Sequence, residues 1–258
     1  MSIHPAELEK QAHESLAKYN YDEAYRSYYR AAYIYSKKAN HAQAALCFAS
    51  AASCWAKKSG ENTFYNAAVS YFQAAKEAES ARDLEYAALL YKYAAINHER
   101  DGEFINFSDC FYRSKECLRK FLLYSIVNPH RIKSISKVVS ERVMQGFVKR
   151  LCFSILLTFS ALLWGHGERP IRTFLTACVV ILLAAGSYML AGVSKGGVFY
   201  YPDLLESIYL SVVTFTTLGY GDIVPVGISK VAALIEAFSG VFVMPLFLIG
   251  LARKYLRV

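Results

Sequence analysis

Thr216-Thr217-Leu218-Gly219-Tyr220-Gly221-Asp222 is the stretch on which the reading of this 258-residue chain turns. Two glycines alternate with bulkier residues, and glycine takes positive φ without a Cβ penalty. A backbone alternating in this way turns successive carbonyl oxygens to one side. Stacked carbonyls of Thr217, Leu218, Gly219 and Tyr220, with the Thr217 hydroxyl below them, then replace the water shell of a bare monovalent cation. One chain supplies a quarter of each oxygen ring, so the reading demands four copies around an axis. Gly-Tyr-Gly alone is an ordinary turn. Here an apolar helix-like run, Leu204–Phe215, leads into it, Pro225 follows, and membrane-length segments flank both.

These residues resemble the filter of the potassium-channel pore family, Thr-Val/Ile/Leu-Gly-Tyr-Gly-Asp. The resemblance implies potassium coordinated at Thr217, Leu218, Gly219 and Tyr220, with Gly221 completing the filter. Leu218 varies a position that contributes its carbonyl, so selectivity is expected to survive. In relatives the carboxylate after the filter hydrogen-bonds an aromatic residue of the pore helix, which makes Asp222 and Tyr209 the expected brace. Some relatives carry a tryptophan pair where this chain has Tyr209-Leu210, and some a glutamate where it has Val213. Both departures bear on filter rigidity more than on selectivity. Gly240 matches the hinge glycine of the pore-lining helix if the loop after Pro225 is one residue shorter than in relatives.

The charge distribution splits the chain. Residues 1–128 hold 16 Lys and Arg against 15 Asp and Glu, whereas residues 129–258 hold 13 against 6. The basic excess therefore lies beside apolar segments, where it fits topology and anionic headgroups better than nucleic acid. No soluble helix carries a basic stripe, and no nucleic-acid partner is expected. Residues 173–192 contain no Asp, Glu, Lys or Arg, and 228–251 contain only Lys230 and Glu236, so two membrane spans are predicted. Lys149, Arg150, Arg169 and Arg172 precede the first and Arg253, Lys254 and Arg257 end the second. By the positive-inside rule both termini face the cytoplasm and the filter opens outward, across a plasma or inner membrane. No helix repeats arginine every third residue, so no voltage sensor is predicted.

Between these landmarks, Pro202 and Asp203 start a pore helix over 203–215. A third apolar run, 151–164, is 14 residues and reaches only about 21 Å, which predicts an interfacial helix on the inner leaflet rather than a crossing. Glu236 is the one acidic residue deep in a span and must face protein or water. It either braces pore-helix hydroxyls such as Thr214 or Ser211, the preferred reading, or forms a negative ring. Gly240 is either a hinge or a site of close helix approach, and Pro245 favours a kink. Phe247, Leu248 and Leu251 are candidates for an apolar constriction.

The N-terminal half carries a repeat: Ala24/Tyr28/Ala31, Ala44/Phe48/Ala51, Ala68/Phe72/Ala75, Ala87/Tyr91/Ala94 and a degenerate Cys110/Ser114/Cys117. Starts fall 20, 24, 19 and 23 residues apart, which predicts helical hairpins with short and longer turns in alternation. Small residues at i and i+7 let helices approach, and the aromatic between them fills the groove. Residues 15–127 resemble tetratricopeptide-type solenoids, most closely the soluble NSF attachment protein branch. Such a surface implies a protein or peptide partner, or a collar serving assembly alone. Residues 129–146 read as a basic amphipathic linker helix. The six cysteines lack Cys-x-x-Cys spacing and read as free thiols.

The fold class expected is all-α: a cytoplasmic solenoid of helical hairpins over 1–128, a linker and interfacial helix over 129–170, and a two-span, pore-loop domain over 171–258, assembled as a homotetramer in lipid. The function implied is a potassium-selective channel modulated by its repeat domain, needing no cofactor beyond the permeant ion. The alternative is a membrane-anchored adaptor whose solenoid recruits partners and whose pore is vestigial. No catalytic or phosphate-loop pattern points to an enzyme.

Overall fold

The computed structural model describes residues 4–58, 60, 62–128 and 146–255, with ten α-helices and one three-stranded sheet among them. The chain divides into two compact units, Met1–Phe159 with Val258, and Ser160–Arg257. The predicted linker helix over 129–146 lies almost entirely outside the described residues.

The first unit is built from α1 (Pro5–Ala17), α2 (Tyr21–Lys37), α3 (His41–Lys57), α4 (Thr63–Ser80), α5 (Leu84–Arg100) and α6 (Phe104–Val127), each packed on the next in sequence. The repeat residues form its interior. Ala24, Ala31, Ala44, Ala51, Ala68, Ala75, Ala87 and Ala94 are fully buried, with Tyr28, Phe48 and Tyr91 between them. Alanine at these positions lets helix backbones come close, and one ring per helix fills what remains. Burial also pushes the Cys54 thiol up to about 11 and those of Cys47, Cys110 and Cys117 to about 12, so these four sulfurs stay protonated and inert.

Four of the five links between these helices share one backbone device. Tyr19, Ala39, Arg82 and Gly102 each adopt positive φ, and the next residue donates its N–H to a carbonyl five positions back. These are Schellman terminations, and the same next residue caps the following helix. Asn20, Asn40 and Asp83 accept from the N–H groups of Glu23, Gln43 and Tyr86. Only the link between α3 and α4 is longer. The expected alternation of short and longer turns is therefore corrected. The 23-residue step arises because the motif begins seven residues into α6 but four residues into α5.

Helix α7 (Phe147–Trp164) is longer than the 151–164 run expected from sequence. It has 18 residues, about 27 Å at 1.5 Å each, and continues into a 3-10 turn, Gly165–Gly167. Phe147–Gly167 is thus long and apolar enough to cross a membrane, as are Pro170–Ala191 and Ser229–Tyr255. The apolar run extends beyond 151–164 because Phe147 and Val148 precede the Lys149-Arg150 pair.

The second unit packs α8 (Pro170–Ala191), α9 (Leu204–Phe215) and α10 (Ser229–Tyr255) against one another. Its core joins Ala184, Tyr188, Val193, Leu210 and Ile223. The sheet, absent from the all-helical expectation, comprises β1 (Val193–Lys195), β2 (Val198–Tyr200) and β3 (Ile223–Pro225) in the antiparallel order β2-β1-β3. Gly196-Gly197, both at positive φ, make the two-residue turn between β1 and β2. Gly192 enters the sheet at φ 78°, where a Cβ would stand 2.3 Å from the Phe199 ring.

One substitution reads the turn device directly. Ala39 holds a left-handed conformation that costs a residue with a Cβ about 1–2 kcal/mol, partly offset by the unfolded-chain entropy of glycine. Ala39→Gly is expected to raise stability by about 0.5–1 kcal/mol in a chemical melt; a loss would contradict the strained-turn account.

Candidate functional site

Helix α9 begins with Asp203, whose side chain accepts from the N–H of Glu206, and is apolar along most of its length. It ends as the solenoid helices do. Thr217 takes φ 59°, its N–H reaches the Thr214 carbonyl, and the N–H of Leu218 reaches the Val213 carbonyl at 3.0 Å. This is again a Schellman termination, with a β-branched threonine where glycine is usual. Gly219 and Gly221 follow at φ 59° and 79°, while Leu218 and Tyr220 keep ordinary φ. Positive φ therefore recurs at 217, 219 and 221. Nothing lies within 4 Å of a Cβ built on Gly219 or Gly221 within the chain, so conformation, not space, requires glycine there.

The segment after Gly221 is held at three points. Tyr209 Oη donates to Asp222 Oδ2 at 3.0 Å, joining α9 to the residue beyond Gly221. Strand β3 pairs with β1, setting Ile223 opposite Lys195, and Lys195 Nζ lies 3.1 Å from Glu206 Oε1. Ser229 Oγ donates to the Gly192 carbonyl oxygen at 2.6 Å, tying the start of α10 to the end of α8.

Behind α9 sits Glu236, 2% exposed. Its Oε2 accepts from Tyr188 Oη of α8 at 2.6 Å, and its Oε1 is hydrogen-bonded to Ser211 of α9. Ser211 Oγ also lies 2.8 Å from the Ile181 carbonyl oxygen of α8. The carboxylate of α10 is therefore joined to both other helices of the unit. Of the two hydroxyls considered from sequence, Ser211 is the partner found, and Tyr188 was not anticipated. Its signal is present in the sequence only as a tyrosine inside an otherwise apolar span.

Gly240 lies one turn beyond Glu236 and is buried. A Cβ there would stand 1.9 Å from the Phe215 carbonyl oxygen and 2.9 Å from the Phe215 carbonyl carbon. The glycine thus admits the last turn of α9 against α10, and α10 runs as one helix through Gly240 and Pro245. The remaining gate candidates divide. Phe247 packs on Phe174 of α8, ring centroids 6.1 Å apart, whereas Leu248 is exposed and Leu251 is half-buried. Among the described residues no cluster of three metal-ligating side chains occurs.

With this geometry in place, comparison with known proteins is informative for one region. Residues 175–257, about a third of the chain, match the family model described as an ion channel. No curated protein and no solved structure matches the chain. The match covers most of α8, and the whole of α9, the Thr217–Asp222 segment and α10. Together with three helices long and apolar enough to cross a bilayer, this similarity to an ion-channel family over 175–257 supports a membrane protein.

The two readings of Gly240 predict opposite signs. For a simple hinge, alanine would stabilise the helix by about 1 kcal/mol. For close packing on Phe215, Gly240→Ala is expected to destabilise the unit by about 1–3 kcal/mol, lowering the thermal midpoint of the purified protein. A raised midpoint would contradict the packing account.

Proposed function

We propose that this chain is a potassium-selective channel, four copies of which surround one pore, with the helical-repeat unit modulating its opening. The observation that carries the proposal is the recurrence of positive φ at Thr217, Gly219 and Gly221 between a capped pore helix and a braced exit. This alternation is what a queue of carbonyl oxygens facing one axis requires. Thr217, Leu218, Gly219 and Tyr220 are the residues that offer those oxygens. Leu218 and Tyr220 are 60% and 68% exposed on the single subunit, and in the tetramer neighbouring subunits cover their apolar side chains.

The bonds around the filter supply rigidity. The Asp222–Tyr209 bond and the Glu236 hub hold the filter's far end and the pore helix to both crossing helices. The helix dipole of α9 ends at the filter's entrance and favours a cation there. Gating residues are assigned to α10 below Gly240, with Leu248 and Leu251 as the apolar constriction. Both termini are cytoplasmic, so α8 and α10 cross a plasma or inner membrane and α7 lies along the inner leaflet. That placement of α7 is supported by Phe153 and Leu157, which pack against the core cluster of the first unit rather than presenting every face to lipid. The repeat unit resembles a tetratricopeptide-type solenoid and is the surface available to a protein or peptide partner.

Rubidium uptake into proteoliposomes holding potassium tests the proposal. Wild-type protein is expected to accumulate rubidium against a background near zero, and Gly219→Ala to abolish uptake while chemical cross-linking still yields a tetramer. Uptake unchanged by Gly219→Ala, or cross-linking that stops at a dimer, would overturn it.

A further inference from the structure

The chain turns from α7 into α8 through the 3-10 segment Gly165–Gly167, then Glu168 and Arg169, before Pro170 opens α8. The last carbonyls of a helix have no partner within it, and here α8 supplies them. Arg172 Nη1 donates to the Ala161 carbonyl oxygen at 2.7 Å, and Thr176 Oγ1 lies 2.9 Å from the Leu163 carbonyl oxygen. His166 Nδ1 and Ser160 Oγ, 3.1 Å apart, join the turn back to α7. The result is a tied elbow between the two helices.

The last turns of α10 rest against this elbow. A Cβ on Gly250 would stand 3.3 Å from Pro170 Cβ, and one on Gly167 would stand 3.2 Å from Arg253 Nη1. Arg253 Nη1 also lies 3.8 Å from Glu168 Oε1, a contact of charge rather than a hydrogen bond. The two partners differ in exposure: the Glu168 side chain is 4% exposed and that of Arg253 is 47% exposed. A carboxylate so enclosed is unfavourable without a counter-charge, whereas the guanidinium reaches water with or without its partner. Glu168 therefore retains Arg253, and with it the end of α10.

The segment restrained in this way is the part of α10 beyond Pro245. A proline within a helix removes one backbone hydrogen bond and makes bending there easier. Leu248 and Leu251 lie between that proline and Arg253. An apolar constriction closes a pore by excluding water, and it does so only while its side chains keep their positions.

We infer that Glu168 is a positioning residue for the gate: paired with Arg253, it latches the end of α10 to the α7–α8 elbow and holds the Leu248–Leu251 constriction shut. The inference rests on the channel reading and names how that channel is kept closed. Releasing the pair frees the segment beyond Pro245 to bend and carries the two leucines off the axis.

The test compares Glu168→Gln, Arg253→Met, Arg253→Lys and the double variant Glu168→Gln/Arg253→Met with wild type. Initial rubidium uptake is measured in proteoliposomes, and the thermal midpoint of each full-length protein in lipid nanodiscs. Glu168→Gln and Arg253→Met each remove one charge at similar side-chain length and are expected to raise uptake about three- to tenfold. Arg253→Lys keeps the charge and should stay within about twofold of wild type, because no bidentate fork is lost. Both single changes break the same pair, so the double variant should rise no further than either alone. Arg253→Met strands a buried carboxylate and should lower the midpoint, which the double variant recovers while its uptake stays high. That divergence separates control of the gate from a contribution to stability. Adding Gly219→Ala should abolish the extra uptake, which distinguishes an opened pore from a leak. Single variants whose uptake is unchanged or reduced while wild type conducts, or effects that multiply in the double variant, would overturn the latch and leave the channel standing. Absence of uptake from wild type and every variant would overturn the channel reading, and the latch's role in gating with it.

Discussion

A carboxylate buried among apolar helices is unfavourable unless every oxygen is engaged, and Glu236 meets that condition by joining three elements at once. Tyr188 approaches it from α8 and Ser211 from α9, while Glu236 itself belongs to α10. The alternative to this arrangement is an unpaired charge in a membrane-length helix, so the register among the three helices has little freedom. One turn further along α10, Gly240 meets the Phe215 backbone so closely that no side chain fits. The two contacts fix the end of α9 in space, and the end of α9 is where the Thr217–Asp222 segment begins.

From that fixed end the chain continues by backbone geometry alone. The left-handed Thr217 completes the cap of α9 and begins the alternation that Gly219 and Gly221 extend. The solenoid turns use the same termination at Tyr19, Ala39, Arg82 and Gly102, where it serves only to reverse the chain. One local conformation therefore has two uses. In the first unit the residue after it caps another helix; in the second it leads into a braced, extended segment that ends at Asp222 and the β1–β3 pairing.

Much of this was legible in the residues because the decisive features are local. The membrane-length helices follow from runs without charge, and the solenoid core follows from alanines at i and i+7 around one aromatic. The Asp222–Tyr209 pair was legible only through resemblance, since twelve intervening residues separate donor from acceptor in no fixed geometry a pattern could give. What escaped was non-local or depended on backbone angles. The sheet has strands of three residues, too short for alternation to register, and only Gly196-Gly197 marked its turn. Threonine carries no sign of positive φ at 217. Tyr188 is one polar atom in an apolar helix, and nothing near it in sequence names Glu236 as its partner. Helix α7 exceeds the charge-bounded run 151–164 because Phe147 and Val148 continue it past the Lys149-Arg150 pair.

The central claim is that the carbonyls of residues 217–220 select a dehydrated potassium ion over sodium. Reversal potential of the reconstituted full-length protein, with the potassium gradient varied against a constant sodium background, measures that choice directly. The account predicts a shift of about 59 mV for each tenfold change in potassium, the limit for a monovalent ion. A reversal potential that stays near zero, or follows sodium equally, would contradict it.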